Sequence, residues 1–424
     1  MIKKKIIEKI FKLHRSLAGE GNRETLRVLS KQTFDKIKIK SFKCGDVYGG
    51  WKIPNEWNVK KAFISYKNKK IIDFKDNNLH LVPNSISVDK YLNLSDLKKK
   101  IFTLKKYPSA IPYITNYYSK NFWGMSIQYQ KLKKLIPGLY RVKIEVNSKK
   151  GFMNYGEAFL RGKSKKEIIF TTYICHPQMA NNEISGPVVN TNLFNLIKKY
   201  SKKKKLNYSY RFLFLPETIG TIALLNQRLN FFKKNAFAVY VLTCLGTKKK
   251  FKLIESPYKN TVSEKIAKQV LNQNFLWEKR SFLERGSDER QWSSPHVSID
   301  CCSIVTSKYG EYKEYHTSKD NLNFISIDGI KRSTNLFYNI FKTFEKSKFY
   351  YNPNIGEPKM DKHGIYPKTS TKNQKKIVKS FMDILSFCNG KNNQREIASY
   401  TNLSLLKTNK ILSFLKKKKL IQDL

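Results

Sequence analysis

Acidic side chains are scarce: 32 Asp and Glu stand against 82 Lys and Arg, a formal net charge of +50 over 424 residues. That imbalance excludes an acidic, solvating chain and raises nucleic acid or another anionic surface as a partner. Cysteine is equally sparse. Cys44, Cys175, Cys244, Cys301, Cys302 and Cys388 form no CxxC pair and lack the density of a secreted disulfide scaffold, so reduced thiols in a cytoplasmic protein are expected. No apolar stretch approaches the roughly 20 residues that cross a bilayer, so no membrane span is expected. The opening MIKKKIIEKIFKLHRSL lacks the long apolar core and cleavage site of a signal peptide; its apolar residues recur at the spacing of an amphipathic helix. Histidine is rare too, with six in the whole chain, so the setting of each one is informative.

What is present argues for a packed, multi-domain protein. The 27 Phe, 24 Tyr and 5 Trp need burial, which rules out an intrinsically disordered polycation. The charge itself is carried mostly by Lys, in runs at 98–100, 202–205, 248–250 and 416–419 that are scattered along the chain among many Asn and Ile. Scatter of that kind fits AT-rich coding bias. A face built for nucleic acid would gather Arg and Lys under one footprint, because affinity grows with the number of phosphates neutralised together. Nucleic acid is therefore not the expected partner.

Three blocks emerge along the chain. Residues 41–122 open on FKCGDVYGGWKIPNEW and continue with short alternating runs, VKKAFISY, KKIIDF and HLVPNSISV, so a mostly β inserted domain is expected there. From residue 123 to 350, apolar strands alternate with helices: YRVKIEV, EIIFTTYI, GPVVNTNLFNLIKKY, YRFLFLP, TIGTIALLNQRL, FAVYVLTCL, then SIDCCSIVTS before a helix over residues 328–346. That pattern predicts an α/β layer sandwich around a parallel or mixed sheet, with residues 1–40 belonging to the same domain. A linker over 351–374 leads to residues 375–424, three short helices with a winged-helix-like pattern, for which Ile377, Phe381, Ile384, Leu385, Ile397, Ala398, Leu403, Ile411, Leu412 and Leu415 are the expected core. No basic concentration marks a groove-reading helix in this block, which favours a docking or dimerisation module over a DNA reader.

Two histidines sit where chemistry is plausible. Cys175-His176-Pro177 follows strand EIIFTTYI, and ligands of open α/β sheets bind at such strand ends. The next strand, YRFLFLPETIG, ends in Pro216-Glu217, and the polar loop YGEYKEYHTSKDNL offers His316 before the last long helix. A His, a Glu and a second His can converge there as metal ligands and a base. Read singly, each has a plainer role: a hydrogen-bonded structural histidine, or a carboxylate complementing a helix dipole.

These segments, together with VLTCLG, GSDERQW, HRSLAGEGNRETL, WKIPNEW, IPYITNYYSKNFWGMS and IGEPKMDKHGIYP, resemble a bacterial family of aminopeptidase-like proteins related to the co-catalytic zinc aminopeptidases. The resemblance covers nearly the whole chain. It implies a zinc-aminopeptidase-like three-layer sandwich with a mostly β insert and an all-α winged-helix-like C-terminal domain, and an origin in surface-polysaccharide gene clusters. By the same resemblance, His176 and His316 match metal ligands, Glu217 the general base, and Asp320 completes the His316 motif. The bridging Asp falls on Asn182, the second metal-binding Glu on Thr218, and a later strand-end Asp near Thr243.

The lost carboxylates make two zinc ions improbable and leave one, held by His176, His316 and the Asn182 carbonyl or a nearby carboxylate. Glu183, Asp288, Glu289 and Asp320 are the candidates for substrate contact or for support behind the ligands. The implied activity is hydrolysis of an amide or peptide bond by zinc-activated water, on a small molecule, a peptide or an amidated sugar of a surface-polysaccharide precursor. The alternatives are a catalytically impaired binding protein on the same fold and, behind it, a DNA-binding regulator. A homo-oligomer built on an apolar seam of the insert is a further expectation.

Overall fold

In the computed structural model, which describes residues 1–364 and 372–424, the most apolar runs of the chain become the middle of an eight-stranded sheet. Its strands are β1 (Lys38–Lys43), β2 (Phe152–Leu160), β3 (Glu167–Tyr173), β4 (Ser209–Leu215), β5 (Ala236–Val241), β6 (Phe251–Ile254), β7 (Trp277–Arg280) and β8 (Cys301–Val305). They lie in the order β1-β2-β4-β3-β5-β8-β6-β7. The central run β4-β3-β5-β8 is parallel, with Phe170 opposite Phe212 and Tyr240; β1 and β2 pair antiparallel on one side, and on the other β6 runs antiparallel to β8 and parallel to the edge strand β7. Every residue of β3 and β4 is buried, as expected where helices cover both faces of a parallel sheet.

The two faces have separate cores. Ile168 and Phe170 of β3 point with Tyr210, Phe212 and Phe214 into a layer formed by α1 (Lys4–Lys12), α2 (Glu20–Ser30), α3 (Ser185–Ser201), α5 (Val262–Asn274) and α6 (Ile327–Lys346). Ile169, Leu213 and Leu215 point the other way, onto α4 (Ile219–Asn235) and Trp292. This is a three-layer sandwich. Ser326 caps α6 by accepting from Gly329 N at 3.0 Å, which fixes where the chain turns from the His316 loop into the helix.

The insert differs from its expected limits. A four-stranded antiparallel sheet pairs Lys69–Asp73, Glu56–Tyr66, Leu139–Lys149 and Val88–Asn93 in that order, so YRVKIEV belongs to this small sheet and not to the central one. The small sheet therefore runs on to residue 149, beyond the expected boundary at 122. Its physical reason is packing: Tyr140, Val142 and Ile144 complete a core with Trp57, Ala62, Ile64, Trp123 and Met125. The alternation of that strand would serve either sheet, and only the partner face decides.

The C-terminal unit is a winged helix, with a small sheet beside its three helices. Its helices α7 (Lys372–Phe387), α8 (Gln394–Tyr400) and α9 (Leu405–Lys417) are joined by a three-stranded sheet of Asn389–Asn393, Phe349–Tyr351 and Gln422–Asp423. The middle strand, Phe349–Tyr351, comes from the junction of the main domain and the expected linker and completes the wing. Residues 365–371 of that linker lie outside the described residues. Of the expected core, Ile384, Leu385, Ile397, Ile411, Leu412 and Leu415 are buried together, whereas Ile377 is 55% exposed. Lys265 of α5 ties the unit to the main domain, reaching Glu396 at 2.9 Å and the Lys391 carbonyl at 2.7 Å. No helix among the described residues is long and apolar enough to cross a membrane.

Candidate functional site

Strand ends build the site. β3 delivers Cys175 and His176, β4 delivers Glu217, and the loop between β8 and α6 delivers His316; all four line one cavity of about 400 Å3. The imidazole centres of His176 and His316 are 5.5 Å apart, and Nε2 of His176 lies 3.6 Å from Oε2 of Glu217. The three residues singled out for chemistry are thus brought together. His316 holds its position at φ 53°, in the left-handed region, with Tyr315 stacked on its ring at 3.9 Å.

Glu217 is fixed by a strained turn. Thr218 adopts φ 64°, ψ −74°, and Ile219 N donates to the Glu217 carbonyl at 2.7 Å, a γ-turn that L-residues rarely make. Asp288 holds the turn: its carboxylate accepts from Thr218 N at 2.8 Å and from the Thr221 hydroxyl at 2.7 Å. Ser287 donates to Glu217 Oε1 at 2.9 Å, and Glu217 N donates to Cys175 Sγ at 3.2 Å. One carboxylate oxygen is therefore anchored and the other faces His176.

Behind His176, Glu183 Oε2 accepts from Nδ1 at 2.9 Å with the Glu side chain wholly buried. Glu183 and Asn182 belong to a single π turn, Ala180–Ile184, which Asp320 secures by accepting from Asn181 N at 2.6 Å, Asn182 N at 3.0 Å and the Tyr312 hydroxyl at 3.0 Å. Asn182 Nδ2 donates to the Tyr173 hydroxyl at 3.1 Å. The turn lies tight against β5 because Gly186 leaves no room for a side chain: a Cβ there would meet the Leu242 carbonyl at 2.3 Å. Glu289 sits apart, accepting from Gly286 N, Ser287 N, the Ser303 hydroxyl and the Tyr309 hydroxyl. None of Glu183, Asp288, Glu289 and Asp320 lines the cavity.

Electrostatics separates the two histidines. Burial, then the charge on His176, pushes His316 down to about 3, so its ring is neutral and its lone pair available. Burial alone would lower His176 as well, but the Glu183 carboxylate on Nδ1 raises this imidazole above its ordinary value. Burial raises Glu217, against the pull of His176, and it raises Asp288 to about 7 with the help of Glu217. Asp320 is raised by burial to about 6 despite its three donors.

The donors suit a single cation. Nε2 of His316 and Oδ1 of Asn182 are buried with no hydrogen-bond partner, the usual mark of a group that an ion or water completes. Two imidazoles sharing one tetrahedral ion through Nε2 at about 2.0–2.1 Å have ring centres roughly 5 Å apart, close to the spacing seen. Glu183 on Nδ1 leaves Nε2 of His176 free toward the cavity, the arrangement that orients a ligating histidine. Cys175, His176 and Glu183 also offer three donors within 4.8 Å of one another, but Nδ1 is committed to Glu183 and burial pushes the Cys175 thiol up to about 11. At the positions of the lost carboxylates, Thr243 Oγ1 donates to the main-chain carbonyl of Asn182 at 2.8 Å and Thr218 Oγ1 accepts from the Arg290 guanidinium at 2.9 Å, so both hydroxyls are engaged.

Several residues of the site escaped the sequence reading. Arg15 is buried and donates from Nε to the His176 carbonyl at 3.1 Å, its Nη1 donating to the Ile10 carbonyl at 2.5 Å. Tyr113, from the stretch between the Val88–Asn93 and Leu139–Lys149 strands of the small sheet, packs its ring against both His176 and His316, its N donating to the His316 carbonyl at 2.9 Å. Its hydroxyl bonds that of Tyr117, which lines the cavity. Each lies in a string quoted for the family resemblance, HRSLAGEG, IPYITNYY and GSDERQW for Ser287 and Arg290, but nothing local marked these positions. A larger cleft of about 820 Å3 lies between the main domain and the C-terminal unit; its one carboxylate, Asp300, is occupied by Ser263 N and the Ser263 hydroxyl.

Comparison with known proteins matches this architecture. Residues 4–347 match the family described as a domain of unknown function (DUF4910), and residues 348–423 match a winged helix-turn-helix family. A Clostridium acetobutylicum protein, named as a candidate polysaccharide biosynthesis protein with an aminopeptidase-like domain, is 36% identical over 364 residues, 85% of this chain and 82% of that one. A crystal structure from the same organism, described as a candidate peptidase, superposes with a TM-score of 0.79 at 32% identity, covering 99% of this chain and 95% of that one. The zinc aminopeptidase of Bacillus subtilis superposes with a TM-score of 0.55 at 12% identity over 80% of this chain and 94% of its own, a likeness of fold.

Proposed function

The chain belongs to the DUF4910 family, an aminopeptidase-like domain followed here by a winged helix-turn-helix, and on that premise we infer that it is a hydrolase of amide or peptide bonds that uses one zinc ion. The observation that carries this reading is the buried, unpartnered Nε2 of His316, a residue that lines one cavity with His176 and Glu217. His176 and His316 would hold the ion through Nε2, with the side-chain Oδ1 of Asn182 as a neutral third donor. When bound, zinc supplies Lewis acidity toward a carbonyl oxygen and toward water.

The chain's own groups do the rest. Glu217 is the base: Oε2 takes a proton from the attacking water and returns it to the leaving nitrogen, while Ser287 keeps Oε1 in place. Burial raises this carboxyl above its ordinary value, which brings its proton affinity closer to that needed for transfer near neutral pH. Glu183 selects the tautomer of His176 that leaves Nε2 unprotonated. Asp288 acts through the Thr218 turn and Asp320 through the π turn, so both are positioning residues.

The relative is named for polysaccharide biosynthesis, which supports a surface-polysaccharide precursor as the substrate, and a small amidated sugar suits a 400 Å3 cavity better than a long peptide. Six buried cysteines without disulfides fit a reducing, cytoplasmic setting. Tyr91 and Leu139, exposed on neighbouring strands of the insert, offer a contact for a homo-oligomer. The neutral residues at 182, 218 and 243 favour the second reading, a binding protein that no longer turns over. Turnover of a panel of amino-acid amides and N-acyl amino sugars separates the two: Glu217→Gln should lower the rate about 10²–10⁴-fold while zinc remains bound. A zinc-loaded protein inert toward the whole panel would favour the binding reading.

A further inference from the structure

An enzyme that selects a free N-terminus needs a carboxylate in its pocket besides the one that serves as base. This cavity has none: apart from its imidazoles, the charged side chains that line it are Glu217 and Arg290. Glu217 is committed to Ser287 and faces His176. Arg290, on the short helix Glu289–Trp292, donates from Nη2 to Thr218 Oγ1, and among the described residues no carboxylate oxygen lies within 4.0 Å of its guanidinium. Its remaining donors are open beside the base. A guanidinium with a free edge is suited to a planar or tetrahedral oxyanion, which it can meet with two parallel hydrogen bonds.

The walls add a second requirement. At the rim Trp51 and Tyr118 stand 6.0 Å apart at a 58° tilt, 41% and 51% exposed, and Tyr117 and Tyr315 line the interior. Exposed aromatic rings around a concave site are platforms for an amphipathic, ring-shaped ligand, and a sugar has both apolar C–H faces and polar edges.

We propose that the cavity takes an N-acylated or amidated sugar bearing an anionic group, carboxylate or phosphate, with the anion on Arg290 and the ring against Trp51 and Tyr118. Where the scissile amide lies rests on the hydrolase reading above; the preference for an anion does not. The local charge is the reverse of that for an amine: a substrate ammonium would be placed against the guanidinium, whereas an oxyanion gains charge-assisted hydrogen bonds from the exposed Arg290 at the mouth of the cavity.

The experiment is calorimetric titration of the full chain with four probes: D-glucuronic acid, glucose 1-phosphate, methyl glucoside and leucinamide. Glucuronic acid or glucose 1-phosphate should bind about tenfold or more tightly than methyl glucoside. In Arg290→Gln that ratio should fall to within about twofold, with Arg290→Lys retaining part of it, and Trp51→Ala should weaken charged and neutral sugars alike. The stronger of the two anions identifies the source as carboxylate or phosphate. An acid-to-neutral ratio unchanged in Arg290→Gln, preferential binding of leucinamide, or no sugar binding at all would overturn the proposal. Anion selectivity that depends on Arg290 in a protein without turnover or zinc would overturn the hydrolase reading alone.

Discussion

Replacing Glu183 by Gln tests the metal site through a residue that never touches the cavity. Glu183 Oε2 accepts the Nδ1 proton of His176 at 2.9 Å, and the side chain is fully buried, so water cannot replace the bond. A hydrogen bond to an ionised group contributes about 1.5–3 kcal/mol and a neutral one about 0.5–1.5 kcal/mol, so the exchange removes roughly 1–2 kcal/mol of preference for the ligating tautomer. Should the new amide present its NH2 to Nδ1, the ring would carry its proton on Nε2 and could not ligate at all. Outer-shell carboxylates of this kind usually carry 10–100-fold in metal affinity. Zinc affinity of Glu183→Gln, measured by competition with a chromophoric chelator at pH 7.5, should therefore be about 10–30-fold weaker than wild type, with Glu183→Asp intermediate. The same substitution removes the anion whose field supports the buried Arg15, so melting temperatures must accompany the titration. A well-folded Glu183→Gln protein with zinc affinity within twofold of wild type would refute the reasoning.

Two further outcomes concern the frame around the site. Asp288, raised from 3.8 to about 7, binds its proton more tightly folded than unfolded, so its contribution to stability is complete below pH 3.8 and is lost as pH rises through 7. Asp288→Asn should therefore flatten the fall in Tm between pH 5 and pH 8, an effect on the order of 2 kcal/mol, and an unchanged pH slope in scanning calorimetry would count against it. Glu157, buried on β2, pairs with Arg211, Arg228 and Lys40. Glu157→Ala leaves Arg228 without that partner and should cost about 3–5 kcal/mol, seen as a Tm roughly 5–10 °C lower, while leaving zinc binding intact at the far end of the sheet.

The parts that were legible in the sequence are those set by local pattern. β3 and β4 announced themselves as continuous apolar runs, and the strand-end rule then placed His176 and Glu217 beside each other before any coordinates did. His316 was legible only as a polar loop residue ahead of a long helix, and its convergence depends on the topology that returns β8 beside β5. What stayed hidden depends on contacts between distant segments. Arg15 reads as a basic residue ending a lysine-rich helix, yet it is folded under the His176 carbonyl 161 positions away. Asp288 and Glu289 were visible as carboxylates in GSDERQW, but nothing local says what they hold. Their partners are backbone amides and hydroxyls of the 218 and 286 turns. The reach of the small sheet to residue 149 and the wing strand at Phe349–Tyr351 escaped for the same reason, since an alternating strand does not name its partner.

We expect one zinc ion, and only one, to bind between His176 and His316. Equilibrium dialysis of the full chain against micromolar zinc at pH 7.5, followed by elemental analysis, measures this directly. One equivalent per chain in the wild type, lost in both His176→Ala and His316→Ala and retained in Glu217→Gln, is the expected result. No bound zinc in the folded wild type, two equivalents, or one equivalent that survives both histidine substitutions would contradict it.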